Sequence, residues 1–106
     1  VRVDSHTWNA VFERDGGHCR YCGVDLLHSF SSWHSATVDH VIAVSAGGTD
    51  ELSNLVLACP SYNHMLSRAN GLHTFEERKT LLEIRRRERQ IWYENTVTAV
   101  RGKAAP

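Results

Sequence analysis

Apolar positions along the chain change period several times, and each change marks an element. From Ser5 to Arg14, Trp8, Val11 and Phe12 recur at helical spacing, and Asp15-Gly16-Gly17 follows as a stop, which predicts a short N-terminal helix. His18-Cys19-Arg20-Tyr21-Cys22-Gly23 reads as a tight turn. Leu26 to Ser35, rich in Ser and His, has no period and is expected to be an irregular loop.

Ala36-Thr37-Val38-Asp39-His40 and Leu55-Val56-Leu57-Ala58 are short and β-prone, and Ser45-Ala46-Gly47-Gly48-Thr49-Asp50 between them favours a loop. An antiparallel pair is predicted. Tyr62 to Ala69 has room for two helical turns, with Pro60 or Ser61 near the start and Asn70-Gly71 as the stop. Thr74-Phe75-Glu76-Glu77 matches a capping box. Leu81, Ile84 and Ile91 then share a helical face with Leu82 and Trp92 beside it, predicting a helix from about 75 to 94. Trp8 and Trp92 are assigned to the core, and Trp33 is left open between core and surface.

These elements give an α+β fold class. No repeat, low-complexity tract or long linker divides the 106 residues, so one domain over 1–106 is expected. The apolar fraction of 42% suits a folded protein, although a chain of this size buries only ~65% of its unfolded surface. A metal staple would help it. There is no run of 18 apolar residues, and Val1 to Ala10 lacks the layout of a secretory signal, so no membrane partner and a cytoplasmic location are expected.

Charge changes the picture only when it is read along the chain. Twelve Lys+Arg balance twelve Asp+Glu. From Thr74 to Pro106, however, eight basic residues face five acidic ones, a net of +3, and residues 1 to 73 carry four against seven, a net of −3. All seven histidines and all three cysteines lie in the acidic part.

Three cysteines cannot complete a disulfide framework, and Cys19-x-x-Cys22 is spaced as a metal-binding knuckle. Cys59 follows Cys22 by 37 residues, with Tyr62 at the spacing where a fourth ligand belongs. This predicts a structural Zn²⁺ held by Cys19, Cys22 and Cys59. A neutral Tyr is a poor zinc ligand, so His64 is the first choice for the fourth position, with His18 and His28 as alternatives. Buried reduced cysteines, with Tyr62 packed where zinc would be, are the competing reading, and a redox role for Cys59 is a third.

A second constellation runs Asp39-His40, Asn54 and Asn63-His64. Asp39-His40-Val41-Ile42, Gly47-Gly48, Glu51-Leu52-Ser53-Asn54-Leu55-Val56-Leu57 and Cys59-x-x-Tyr62-Asn63 together resemble the HNH endonuclease motif, the ββα-metal nuclease fold, over about residues 18 to 69. The resemblance implies a ββα-metal core over 18–69 inside the Cys knuckle, flanked by the N-terminal helix and a long basic C-terminal helix over 74–95. It further implies that His40 is the general base, Asp39 a ligand of a catalytic divalent ion, Asn54 the residue that fixes the loop bearing His40, and Asn63 the ligand supplied by the helix. The family often has Lys or Arg where this chain has Leu66, and Arg68 is the candidate to replace that phosphate contact.

The residue types suit the chemistry. Phosphodiester hydrolysis needs a water that loses a proton while charge builds on the phosphoryl and leaving oxygens. An imidazole, with an ordinary pKa of ~6.5, accepts a proton near neutral pH. A carboxylate and an amide oxygen suit Mg²⁺ or Mn²⁺. The bland alternatives are a turn-capping Asp39, a core His40, and Asn54 and Asn63 as turn or cap residues. Taken together, four such coincidences are the weaker account.

Arg85, Arg86, Arg87 and Arg89 are interleaved with Glu83 and Glu88, which is the pattern of a solvated helix face. Beside a nuclease site the same residues are candidates for phosphate-backbone contacts. The expectation is a metal-dependent hydrolase acting on DNA, as a monomer or weak homodimer. The alternative is a zinc-stapled nucleic-acid-binding module of a phage or restriction assembly that does not cut.

Overall fold

The computed structural model describes residues 3–66 and 71–102, apart from the side chain of His64. Helix α1 spans Ser5–Arg14, α2 Phe30–Ser35, strand β1 Thr37–His40, strand β2 Leu55–Ala58, α3 Pro60–Leu66 and α4 Phe75–Val97. The strands form one antiparallel pair, with Thr37 opposite Ala58 and His40 opposite Leu55. All four β2 residues are buried, which is why that strand reads as an unbroken apolar run, whereas β1 is half-buried throughout.

Helix α1 starts where Asp4 caps the Thr7 amide at 2.7 Å, and it buries Val11 and Phe12. Its end is fastened to the sheet through charge. Arg14 donates from Nη1 to the Leu52 carbonyl and from Nη2 to the Leu55 carbonyl. The neighbouring Asp15 carboxylate accepts from Arg14 Nε at 2.9 Å, Arg20 Nη1 at 3.0 Å and the Leu57 amide at 2.9 Å. Burial would raise the Asp15 pKa, but the bonds from Arg14, Leu57 and Arg20 outweigh it and hold the carboxyl below its usual value.

The knuckle is a tight loop closed by Cys19 N to the Val24 carbonyl, 3.0 Å, and Gly23 N to the Cys19 carbonyl, 2.8 Å. It joins the sheet through Arg20 N and the Leu57 carbonyl, 2.9 Å. Between the strands, Gly48 passes against the chain that leaves β1. A Cβ there would lie 1.7 Å from the Ile42 carbonyl oxygen, so no residue with a side chain fits without moving backbone.

Two expectations need correction, and a third reaches beyond the described residues. Leu26 to Ser35 is not wholly irregular, because Ser29 caps the Ser32 amide at 3.1 Å and starts α2; a single local cap has no periodic signature. Helix α3 begins at Pro60, and the predicted continuation through Ala69 lies outside the described residues beyond Leu66. Trp92 is not a core residue: it is 66% exposed, with Ile91 60% and Ile84 45%. Helix α4 runs past the edge of the core, and its inward stripe is Phe75, Arg78 and Leu82. Trp8 is half-buried, with Phe12 at 4.3 Å and Trp33 edge-on at 5.6 Å, so Trp33 belongs to the rim of this cluster.

Candidate metal centre and active site

The knuckle and the start of α3 bring the three cysteines together. Cys19, Cys22 and Cys59 offer Sγ atoms within 4.8 Å of one another, and Cys22 Sγ lies 3.9 Å from Cys59 Sγ. Tetrahedral zinc with Zn–S bonds of ~2.3 Å needs sulfurs ~3.8 Å apart, so the set fits such an ion. The hydrogen bond from Cys59 drives the Cys19 thiol down to about 5, and the same bond, with burial, drives Cys59 up. Burial raises Cys22. Three sulfurs this close share the first ionisation among them, and a cation would draw off the remaining protons.

No described His, Asp or Glu joins the three cysteines. His18 Nδ1 is bonded to the Gly16 carbonyl at 2.9 Å and His28 Nε2 to Ser32 Oγ at 2.7 Å, both on the surface. The His64 side chain, first choice for the fourth ligand, lies outside the described residues, as does Arg68. Tyr62 is buried, its ring stacked 6.4 Å from that of Tyr21, and burial raises its hydroxyl pKa.

Asn54 closes the second constellation. It is buried at the end of the turn leading into β2. Its Oδ1 accepts from the Ile42 amide at 2.8 Å, and its Nδ2 donates to the Ile42 carbonyl at 3.0 Å and the Thr49 carbonyl at 2.8 Å. The loop after His40 is thus tied at both ends by one side chain.

His40, the last residue of β1, has Nε2 2.6 Å from Asp50 Oδ1. A carboxylate only accepts, so Nε2 donates, and in the neutral form of the ring Nδ1 is the nitrogen with the lone pair. Asp50 lies on the loop that Asn54 secures at Thr49.

Thr37 and Asp39 leave β1 on the same face, because side chains alternate along a strand. Asn63 of α3 is on that face too, donating from Nδ2 to Thr37 Oγ1 at 3.1 Å, and Thr37 Oγ1 donates to the Ala58 carbonyl at 3.0 Å. The Asn63 amide oxygen is therefore turned away from Thr37. No hydrogen bond joins Asp39 to Asn63 or to His40 among the described residues. A carboxylate and an amide oxygen are donors of the type a hard cation takes.

Asp39 instead meets Arg78 of α4. Arg78 Nη2 donates to Asp39 Oδ2, Nε to the Tyr21 hydroxyl at 2.9 Å, and Nη1 reaches the Val41 carbonyl at 3.4 Å. Tyr21 Oη lies 3.5 Å from the same Asp39 oxygen. Arg78 is only 6% exposed. Burial raises the Asp39 pKa against the pull of the guanidinium, and burial likewise lifts Tyr21 to about 12. Phe75, one turn earlier, stacks on Tyr21 at 5.0 Å, and the Arg20 guanidinium lies over the Phe75 ring 5.2 Å from its centroid, which seats the first turn of α4 on the knuckle.

Asp50, Thr37, Tyr21 and Arg78 did not emerge as site residues from the sequence. Arg78 alone had a usable signal: with Phe75 and Leu82 it occupies i, i+3 and i+7, the spacing of one buried helical stripe. Arg85, Arg86, Arg87 and Arg89 are exposed on α4 beyond that stripe, and of these Arg86 acts electrostatically on the Tyr62 hydroxyl.

A two-stranded antiparallel pair followed by a helix, with a cysteine cluster at its base and a His-Asn pair at its loop, defines a small ββα nuclease-type domain. The HNH endonuclease family model matches residues 19–74, more than half of the chain, and the chain belongs to that family. No curated protein matches it. Its function is of the nuclease or nucleic-acid-binding type. Among the described residues no helix is long and apolar enough to cross a membrane.

Proposed function

We propose that the chain is a metal-dependent endonuclease that hydrolyses DNA phosphodiester bonds, with His40 as the general base. The observation that carries this reading is the loop after His40. Asn54 ties it to the Ile42 peptide and to Thr49, and next to Thr49 the Asp50 carboxylate orients the imidazole with Nδ1 as proton acceptor. In the reaction Nδ1 takes a proton from a water, the water oxygen bonds to phosphorus, the bond from phosphorus to the leaving 3′ oxygen breaks, and that oxygen gains a proton from solvent.

Asp39 and Asn63 would hold the divalent ion, Mg²⁺ or Mn²⁺. When bound, such an ion neutralises charge on the phosphoryl and leaving oxygens. Cys19, Cys22 and Cys59 would hold a structural Zn²⁺, with His64 as fourth ligand. The exposed Arg85, Arg86, Arg87 and Arg89 would meet the phosphate backbone, and Arg68 is a further candidate for such a contact. On this reading residues 1–106 act as one unit, and a single site cuts one strand, so a double-strand break takes two chains or two visits.

One observation favours the second reading, a zinc-stapled DNA-binding module that does not cut. Leu66, where the family often has a basic residue, is 4% exposed and belongs to the core. A plasmid-nicking assay with Mg²⁺ or Mn²⁺ separates the two. Cleavage by the native chain that falls about 10²- to 10⁴-fold in His40→Ala is the expected result, with loss also in Asn63→Ala. Native protein that binds DNA without cutting would leave the module as the better account.

A further inference from the structure

We infer that Arg78 is a positioning residue for the Asp39 carboxylate, and hence that the metal-binding unit of this protein extends into α4, beyond the segment shared with the family. The inference rests on the reading of Asp39 as a ligand of the divalent ion. Among the described residues the carboxylate has two side-chain hydrogen-bond partners, Arg78 Nη2 and Tyr21 Oη, and both lie on Oδ2. Oδ1 accepts no hydrogen bond from a described residue. The guanidinium also bonds the Tyr21 hydroxyl and reaches the Val41 carbonyl. One planar fork therefore spans knuckle, strand end and carboxylate.

A carboxylate pinned through one oxygen presents the other to a cation in a single direction, which favours one-oxygen coordination over a chelating one. Lysine cannot reproduce this, because an ammonium has no plane to fix three partners at once. Arg78 is also too deeply buried to lie against a phosphate backbone. Its effect on cleavage therefore passes through Asp39 and not through DNA affinity. The family match ends at residue 74, and Arg78 lies one helical turn further on, held there by the Thr74–Glu77 capping box.

The test is Mn²⁺ titration by calorimetry on the full chain, comparing native protein with Asp39→Asn, Arg78→Met, Arg78→Lys and Tyr21→Phe, together with kcat and KM for plasmid nicking. The expected result is Mn²⁺ affinity lost in Asp39→Asn, weakened about tenfold in Arg78→Met and less in Arg78→Lys and Tyr21→Phe. The nicking rate should fall with it while KM for DNA changes less than threefold. If Arg78→Met does not fold, Arg78→Lys and Tyr21→Phe carry the comparison, each with a two- to fivefold loss of Mn²⁺ affinity. Binding that depends on Asp39 but is the same in every folded Arg78 and Tyr21 variant would overturn this inference alone. Binding that Asp39→Asn leaves unchanged would overturn the metal-site reading, and this inference with it. A rise in KM with unaltered Mn²⁺ affinity would make Arg78 a DNA contact and overturn the positioning role.

Discussion

Asn54 holds the Ile42 peptide by both its faces, accepting from the amide and donating to the carbonyl of the same residue. Two hydrogen bonds to one residue, and a third to Thr49, make a buried amide the side-chain tie across the fourteen-residue excursion between the strands, residues 41–54. Replacing it with alanine leaves one amide and two carbonyls without partners. Asn54→Ala should therefore cost about 3 kcal/mol of stability by urea denaturation. A loss under 0.5 kcal/mol would mean that the loop holds its shape by other contacts.

Asp50 depends on that loop and in turn sets the tautomer of His40. Removing it leaves the imidazole free to rotate and to carry its hydrogen on either nitrogen. Asp50→Ala is expected to lower kcat for nicking by about 10²-fold, the scale of a ~1 Å misplacement of a catalytic group, with KM little changed because Asp50 does not meet DNA on this reading. An unchanged kcat would detach Asp50 from the mechanism.

The Asp15 carboxyl predicts a pH dependence with a definite sign. Its pKa in the folded chain lies below the unfolded value of ~3.9. The stabilisation is thus complete above pH ~4 and is lost as the pH falls through the lower, folded value. Asp15→Asn should cost about 2 kcal/mol near neutrality and flatten the fall in urea midpoint between pH 4 and pH 2. A mutant with the native slope would place the acid sensitivity elsewhere.

The cysteine cluster predicts about one zinc per purified chain, measured by elemental analysis. Cys59→Ser should retain less metal and melt several degrees lower, and a strong chelator should lower the melting temperature of the native protein in the same way. Native protein that is folded and free of zinc would leave the cluster as three packed thiols.

Local chemistry decided what could be seen in the sequence. The strand pair was legible because two short β-prone runs flank a Gly-Gly loop, and the start of α4 because Thr74 and Glu77 satisfy each other's end groups at fixed spacing. Helix α1 was legible from Trp8, Val11 and Phe12 and the glycines after them. Trp92 was misplaced for a different reason: periodicity tells which residues share a face, but not whether anything lies opposite that face. Arg78 was hidden for the converse reason, since a charge on the buried stripe looks like surface until its partners Asp39 and Tyr21, 39 and 57 positions away, are brought to it. The Cys spacing gave the thiol cluster, whereas Asp50 as partner of His40 depends on the loop's path, which no local pattern encodes.

Among the described residues, helix α4 is packed against the core only through its first turns. The capping box, the Phe75 stack and buried Arg78 and Leu82 fasten its first two turns, whereas every residue from Glu83 to Thr96 is exposed. A helical stretch of that length has marginal stability in water without packing. Amide hydrogens there exchange with solvent by local fraying, while those around Arg78 and Leu82 wait for the core itself to open. Trp92, far out on the fraying part, emits as an indole in water and reports on that end of the rod and whatever comes to rest on it, leaving the turn that grips Asp39 undisturbed.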